Sequence, residues 1–321
     1  MSETVTVIGN TGWGRTIAWF LSRSGHDVRL LARTESEAVA LRELSVKYRP
    51  THVAQDALDG TGCIVWAVPS QTVRANALSV AHVVPTHACQ VSVAKGLEVE
   101  TGKRMTEVLG DVLGADCTRT LCALSGPNLA DEIARGLPAA SVVASTDAAV
   151  ARRVQTAFGS HRFITVVTDD VIGVELAGAL KNIVALGAGM MDGLGLGDNA
   201  KAAFIAFAWS EVIAFGVAMG ARESTFYGLA GFGDVVATCV SDLSRNHRVG
   251  CEVARGRPLA EVLSSMHQVA EGVYTAKAVR QLADRLNLEA PIMLSIYRVL
   301  FEGYPLTKAV ARFTGRVGRP A

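Results

Sequence analysis

The sequence has almost no net charge and no block of either sign. Its 31 Lys and Arg against 30 Asp and Glu leave a formal charge of +1, and charged residues make up only 19% of its 321 residues. A nucleic-acid partner is thereby disfavoured, because neutralising a polyanionic backbone takes clustered cations. A small anion needs only a few placed cations and is not excluded. The six cysteines, at positions 63, 89, 117, 122, 239 and 251, include no CxxC pair. A chain of this length needs no staples, so they are expected to be reduced and mostly packed. The seven histidines lack HExxH spacing, and no metal site is expected. The start, Met1-Ser2-Glu3, lacks the basic stretch and cleavage pattern of a secretory leader. No membrane span is expected either, since one should read as ~20 mostly apolar residues with few or no charges. The most apolar segments carry Glu175, Lys181, Lys201 and Glu211 and read as buried helices of a soluble, cytoplasmic protein.

Half of the residues are apolar, enough for a substantial core and more than one domain. In the first half, short apolar runs appear at 5–8, 28–32, 63–68, 90–94 and 120–124. Helical patterns lie between several of them, notably at 14–24 and 102–113. That alternation is what βαβ units of a mostly parallel sheet require. Further runs at 140–144 and 162–167 can extend the same sheet. From about Gly173 the strand-like runs stop. Residues 174–191 and 199–219 predict two long helices with apolar positions on more than one face, both buried. Helical patterns recur at 244–254, 258–264, 270–286 and 291–301, and 314–321 reads as a frayed tail. The expected fold is an α/β, Rossmann-like dinucleotide-binding domain over residues 1–180, followed by a mainly α-helical substrate domain over 181–321.

The first run feeds directly into Gly9-Asn10-Thr11-Gly12-Trp13-Gly14 and then into a helical pattern. Such a turn lets the backbone approach a pyrophosphate, and the free N–H groups of the following helix favour its charge. Thr11 stands at the middle glycine of GxGxxG, a change expected to weaken cofactor affinity or shift the turn. The second run ends at Arg33. No acid stands there to bind ribose hydroxyls, although Glu35 follows soon after. Arg33 suits the 2′-phosphate of NADP, or else is a solvated cation.

Other polar residues carry two readings each. Lys181 lies in an apolar helical pattern. It is either a desolvated general base or a side chain whose stem lines an apolar surface while its head reaches water. Lys95 ends a strand pattern, where ligands of such sheets collect, but it also reads as an ordinary surface lysine. Gly126 and Asn128 form either a polar ligand loop or a plain turn. Asp234 is a candidate to accept from substrate hydroxyls, to orient Lys181, or merely to cap a helix. Ser244-Arg245-Asn246 is either an anion grip or a capped helix start with a solvated Arg.

Taken together in order and spacing, these segments resemble the bacterial NAD(P)-dependent glycerol-3-phosphate dehydrogenases, from about residue 4 to 316. The matching motifs are 9–14 with Trp13, 93–98 (Val-Ala-Lys-Gly-Leu-Glu) and 124–128 (Leu-Ser-Gly-Pro-Asn). They continue at 178–182 (Gly-Ala-Leu-Lys-Asn), 187–193, 230–234 (Ala-Gly-Phe-Gly-Asp), 244–246 and 269–272. The resemblance implies reversible hydride transfer between NAD or NADP and dihydroxyacetone phosphate, giving sn-glycerol 3-phosphate for phospholipid synthesis. It implies Lys181 as proton acceptor. It implies Lys95, Gly126, Asn128, Lys181, Asp234, Ser244, Arg245 and Asn246 at the substrate. The residues it implies at the cofactor are Gly9, Gly12, Trp13, Gly14, Arg33, Lys95, Ala130, Arg245, Val269 and Glu271. Subunit number stays open, a homodimer being compatible. The rival readings are a dehydrogenase of 3-hydroxy acids or sugar acids, and an NAD(P)-binding regulator. The combined Lys95, Asp234 and 244–246 set argues against the first, and the presence of Lys181 against the second.

Overall fold

The computed structural model describes residues 2–44, 47–266 and 268–317. It divides into two compact units. The first comprises Met1–Lys95 and Arg104–Glu175, the second Gly96–Lys103 and Leu176–Ala321.

The first unit is built on one eight-stranded sheet. Its strands are β1 (Thr4–Ile8), β2 (Asp27–Leu31), β3 (Arg49–Thr51), β4 (Cys63–Trp66), β5 (Cys89–Ser92), β6 (Leu121–Ser125), β7 (Ala139–Ala144) and β8 (Phe163–Thr168). The spatial order is β3-β2-β1-β4-β5-β6-β7-β8. Every neighbouring pair is parallel except β6 with β7. The first six strands thus have the doubly wound order of a dinucleotide-binding sheet, with its crevice beyond the carboxyl ends of β1 and β4. The helices are α1 (Gly12–Arg23), α2 (Glu35–Glu43), α3 (Ala54–Leu58), α4 (Val73–Val80), α5 (Met105–Leu113), α6 (Ala115–Thr118), α7 (Ala130–Ala134) and α8 (Ala148–Phe158). Successive strand residues point to opposite faces and feed two cores. Val7, Leu30, Val65 and Val91 pack with Ile17 and Leu21 of α1 and Phe158 of α8. Ile64 and Trp66 pack with Val73 and Ala77 of α4 and Leu109 of α5.

β3 is a strand the sequence pattern does not announce. It is three residues long and contains Pro50. Proline is tolerated there because β3 is an edge strand, where a missing N–H breaks no ladder on the open side.

From Leu176 on, the named elements of the second unit are all helices: α9 (Val171–Gly193, begun in the first unit), α10 (Gly197–Ala218), α11 (Glu223–Phe226), α12 (Asp234–Val240), α13 (Arg245–Ala254), α14 (Leu259–Ser264), α15 (Glu271–Leu286), α16 (Pro291–Phe301) and α17 (Leu306–Val317). A π-helical turn, Leu229–Gly233, leads into α12. Residues 314–317, expected to fray, belong to α17; residues 318–321 lie outside the described residues.

Both α9 and α10 are long and apolar enough to cross a membrane. The most apolar stretch of α9 is 94% buried inside the protein, as a core helix is. The expectation that α10 is equally buried is corrected: only 33% of its apolar stretch is buried. Its outward positions include Ala202, Ala206, Ala214 and Ala218, with Phe207 and Val217 also exposed. Alanine counts as apolar in a sequence pattern but leaves little surface to hide, which accounts for part of that exposure.

Two features place the start of α9 and its neighbour. Glu175 is buried and accepts from Arg104 Nη1 at 2.6 Å, Thr106 N at 2.8 Å and Thr106 Oγ1 at 2.5 Å, which ties α9 to the start of α5. Burial pushes the Glu175 carboxyl above its ordinary range, and the Arg104 charge and the Thr106 hydrogen bonds only partly offset this. Further along, α9 crosses α13 at backbone contact. A Cβ on Gly189 would lie 2.0 Å from the His247 carbonyl oxygen, and one on Gly250 would lie 2.0 Å from that of Leu186. Only glycine permits this approach, and it brings the start of α13 beside the middle of α9.

Candidate active site

In the first unit, the turn after β1 is a backbone cradle. Gly9 has φ +120°, and a Cβ there would stand 2.8 Å from Val68 and 2.9 Å from the Ala67 backbone; one on Gly14 would stand 2.2 Å from the Gly9 carbonyl oxygen. Both positions require glycine. Thr11 does not. Its backbone is extended (φ −89°, ψ 165°), and its hydroxyl accepts from Gly14 N at 2.9 Å and donates to Ala67 O at 2.8 Å. It is therefore the N-cap of α1. Gly12 and Trp13 begin the helix, and Trp13 packs its ring on the core.

Lys95 follows β5 and donates to the Gly126 carbonyl, beyond β6, at 2.7 Å. Asn128 accepts from Ser141 Oγ at 2.9 Å through its Oδ1, while its Nδ2 is buried without a hydrogen-bond partner. Ser92 Oγ at the end of β5, Ser125 Oγ at the end of β6 and Asn10 Oδ1 after β1 are likewise buried and unpartnered. Buried polar atoms are nearly always satisfied, so four exceptions at the carboxyl ends of three parallel strands call for a ligand. The residues fit a dinucleotide: a glycine cradle, exposed helix N–H groups and unspent polar atoms stand where such sheets hold one. Ala130 opens α7, its carbonyl 3.5 Å from the Thr16 hydroxyl of α1. Arg33 lies exposed after β2 and pairs with Glu37 at 2.8 Å. Among the described residues, no group of three or more His, Cys, Asp and Glu could hold a metal.

In the second unit, Lys181 is buried in the middle of α9. Its ammonium donates to Asp234 Oδ1 at 2.6 Å and to the Thr238 hydroxyl. Thr238 in turn donates to the Asp234 backbone carbonyl at 2.7 Å. The side chains of Lys181 and Asp234 are 7% and 2% exposed, so the carboxylate offsets the desolvation cost that burial imposes on the ammonium. This sharpens the reading of Lys181 as a base made by apolar surroundings alone: the lysine is held by a buried acid. Asp234 is the first residue of α12, not its cap, and its side chain is turned to Lys181.

Ser244 caps α13, accepting from His247 N at 3.2 Å, and Arg245 is exposed on the first turn. Asn246 is buried. It donates to Asn182 Oδ1 at 2.8 Å and accepts from Gly272 N at 2.9 Å, joining α9, α13 and the start of α15. Val269 and Glu271, half-buried, flank that start. His247 is fixed to Asp192 at 2.7 Å, which also receives Lys201. Burial raises the Asp192 carboxyl, but these two donors outweigh it and hold it below its ordinary value.

The structure thus joins Lys181 with Asp234, and Lys95 with Gly126. Sequence reasoning missed Thr238, whose i,i+4 spacing from Asp234 was its available signal. It also missed Asn182, which lies beside Lys181 in sequence, and Ser92, which nothing in the pattern distinguishes.

A doubly wound sheet with this glycine cradle defines a dinucleotide-binding class of enzyme, and a buried lysine–acid couple in a helical second unit narrows it to dehydrogenases that handle a proton. Residues 4–151 match the N-terminal model of NAD-dependent glycerol-3-phosphate dehydrogenase, and residues 170–311 match its C-terminal model. The chain belongs to this family. It is 42% identical over 313 residues, 92% of this chain and 86% of the relative, to a glycerol-3-phosphate dehydrogenase [NAD(P)+] of Dehalococcoides mccartyi. It is 40% identical over 328 residues, 98% of each chain, to the protein of that name from Geobacter sp. (strain M21). The solved glycerol-3-phosphate dehydrogenase of Coxiella burnetii superposes with a TM-score of 0.91 at 29% identity, covering 99% of both chains.

Proposed function

We propose that this chain is an NAD(P)-dependent glycerol-3-phosphate dehydrogenase. The observation that carries the reading is the buried Lys181–Asp234–Thr238 group, set in a chain that matches both halves of the family. The bound dinucleotide gives or takes the hydride. Lys181 handles the proton. When dihydroxyacetone phosphate is reduced, its ammonium donates to the forming alkoxide oxygen and is then reprotonated from solvent; in the reverse direction the neutral amine accepts the hydroxyl proton. Asp234 and Thr238 aim the amine and offset its burial. Gly9, Gly12 and Gly14 admit the pyrophosphate, with Trp13, Ala130, Val269 and Glu271 at the cofactor. Lys95, Gly126 and the unpartnered amide of Asn128 serve the substrate oxygens. Arg245, with the Ser244 hydroxyl, grips the phosphate. Asn246 commits its carbonyl and one amide hydrogen inside its own unit, which leaves it a smaller part in that grip.

In this reading sn-glycerol 3-phosphate is supplied for phospholipid synthesis, and the enzyme works in the cytoplasm, where unpaired cysteines, five of them buried, are at home. The test is steady-state reduction of dihydroxyacetone phosphate with NADH and with NADPH, beside a 3-keto acid. Turnover of the phosphorylated ketone with either cofactor is expected. Turnover of the keto acid alone would overturn the reading.

A further inference from the structure

Arg33 has a partner whose chemistry is opposite to its own. In a doubly wound sheet the turn after β2 meets the adenosine ribose of a dinucleotide. A carboxylate there reads a 2′-hydroxyl, and a cation reads a 2′-phosphate. This chain has both, bonded to each other. Glu37 accepts from the backbone N–H of Arg33 at 3.2 Å and from its guanidinium at 2.8 Å. The Arg33 side chain is 84% exposed and that of Glu37 only 27%, so the acid is the fixed member of the couple. Its fixity comes from α2: Thr34 is the N-cap and accepts from Glu37 N at 3.2 Å, the T-x-x-E spacing of a helix start.

Asn10 stands in the turn after β1. Its side chain helps hold the Glu37 carboxyl low, and its Oδ1 is buried and unpartnered. Burial pushes the Glu37 carboxyl up, but Arg33 and Asn10 outweigh it and hold the group below its ordinary value, so it is an anion at neutral pH. A fixed carboxylate thus stands beside one exposed guanidinium. A ribose hydroxyl has a hydrogen to give to that carboxylate. A phosphate dianion has none and meets the carboxylate as a like charge.

We propose that Glu37, by holding Arg33, makes this chain discriminate against the 2′-phosphate, so that NAD(H) binds in preference to NADP(H). This rests on the dehydrogenase reading above and names the residue that decides between its two cofactors. A merely structural role at the start of α2 would move stability and leave the cofactor ratio alone.

The test is direct binding, followed by nicotinamide fluorescence, of NADH and NADPH to the wild type, Glu37→Gln, Glu37→Asp, and Glu37→Gln with Arg33→Ala. Glutamine keeps an acceptor for the Arg33 N–H and removes only the charge. The wild type is expected to bind NADH more tightly. In Glu37→Gln the ratio Kd(NADPH)/Kd(NADH) should fall about tenfold or more, mainly through tighter NADPH, because a like charge at a recognition site is costly. Adding Arg33→Ala should reverse most of that gain. Glu37→Asp withdraws the carboxylate by one methylene and should shift the ratio the same way by less, which keeps the idea testable if the glutamine variant folds poorly. A wild type that prefers NADPH, or an unchanged ratio in folded variants that bind both, overturns the role of Glu37. A wild type that binds neither overturns the cofactor reading itself.

Discussion

In the first unit, Asn10, Ser92, Ser125 and Asn128 each bury a polar atom without a partner, whereas in the second Lys181, Asp234 and Thr238 bond to one another and Asn246 bonds to Asn182. The contrast follows from what each set handles. In the proposed function dinucleotide and substrate come and go, and the atoms proposed to greet them are left unsatisfied until they arrive. A proton-transfer group must be aimed before substrate binds, and its surroundings are completed in advance. Substitutions in the second unit should therefore cost both stability and turnover. Substitutions of the waiting atoms in the first should cost affinity alone.

The largest expected effect is at Lys181. Lys181→Met should lower turnover by ~10²–10⁴, the usual contribution of a general acid–base. It should also destabilise by about 3–5 kcal/mol, because the buried Asp234 loses the counter-charge of Lys181. Combining it with Asp234→Asn should restore much of the stability and none of the turnover. Chemical denaturation and kcat on the same samples would separate the two, and a fully active Lys181→Met would end the assignment.

Next comes Arg245→Ala. A charge-assisted contact to a desolvated phosphate is worth roughly 1.5–3 kcal/mol. The ratio of kcat/KM for phosphorylated over unphosphorylated dihydroxyacetone should drop accordingly. An unchanged ratio would assign the phosphate to another group, with Lys95 first in line. NAD(P)H affinity should be measured in the same variant, since the family resemblance also places Arg245 at the cofactor.

Ser92→Ala and Ser125→Ala sharpen the contrast from the other side. Each removes a buried hydroxyl that has no partner, so the ligand-free protein should gain about 1 kcal/mol. The rise in Tm produced by saturating NADH or substrate should shrink. A loss of stability in the ligand-free state would mean these atoms are not waiting for a ligand.

The smallest effect concerns Asp192. Its carboxyl is held below its ordinary value, so its share of stability is present above the usual carboxylate range and is lost as pH falls through the lowered value. The side chain is 29% exposed, which limits that share to about 1 kcal/mol or less. Asp192→Asn should flatten the acid limb of Tm against pH, with little change above pH ~5 beyond a constant offset. An acid limb identical to the wild type would show that His247 and Lys201 do not depend on its charge.

Much of this was readable in the residues. The alternating runs of the first half gave the parallel sheet, because strands covered on both faces read as short, unbroken apolar stretches. The long pattern around Lys181 gave α9. What stayed hidden depended on neighbours distant in sequence. Pro50 conceals β3, since only its place at the edge makes that strand permissible. The alanines of α10 count as apolar whether covered or not. Lys181 admitted two readings until Asp234, 53 positions away, was found against it. Arg33 looked unopposed because the acid that answers it stands one helical turn later, at Glu37, and not at the end of β2.

The short segment 96–103 has a consequence for how the protein is made. It is synthesised between β5 and α5 of the first unit, yet it belongs to the second. Leu97 is fully buried, and Arg285 reaches back across 184 positions to donate to the Thr101 carbonyl at 3.0 Å. A ribosome therefore releases this piece long before α15, the helix that secures it, exists. The second unit cannot be finished as chain emerges but must close around an early strip of sequence, a late step with a large entropic cost. Nor can either unit be lifted out as a cassette by one cut near residue 175: the first would carry away eight residues of its neighbour's interior, and the second would be left with a slot where they belong.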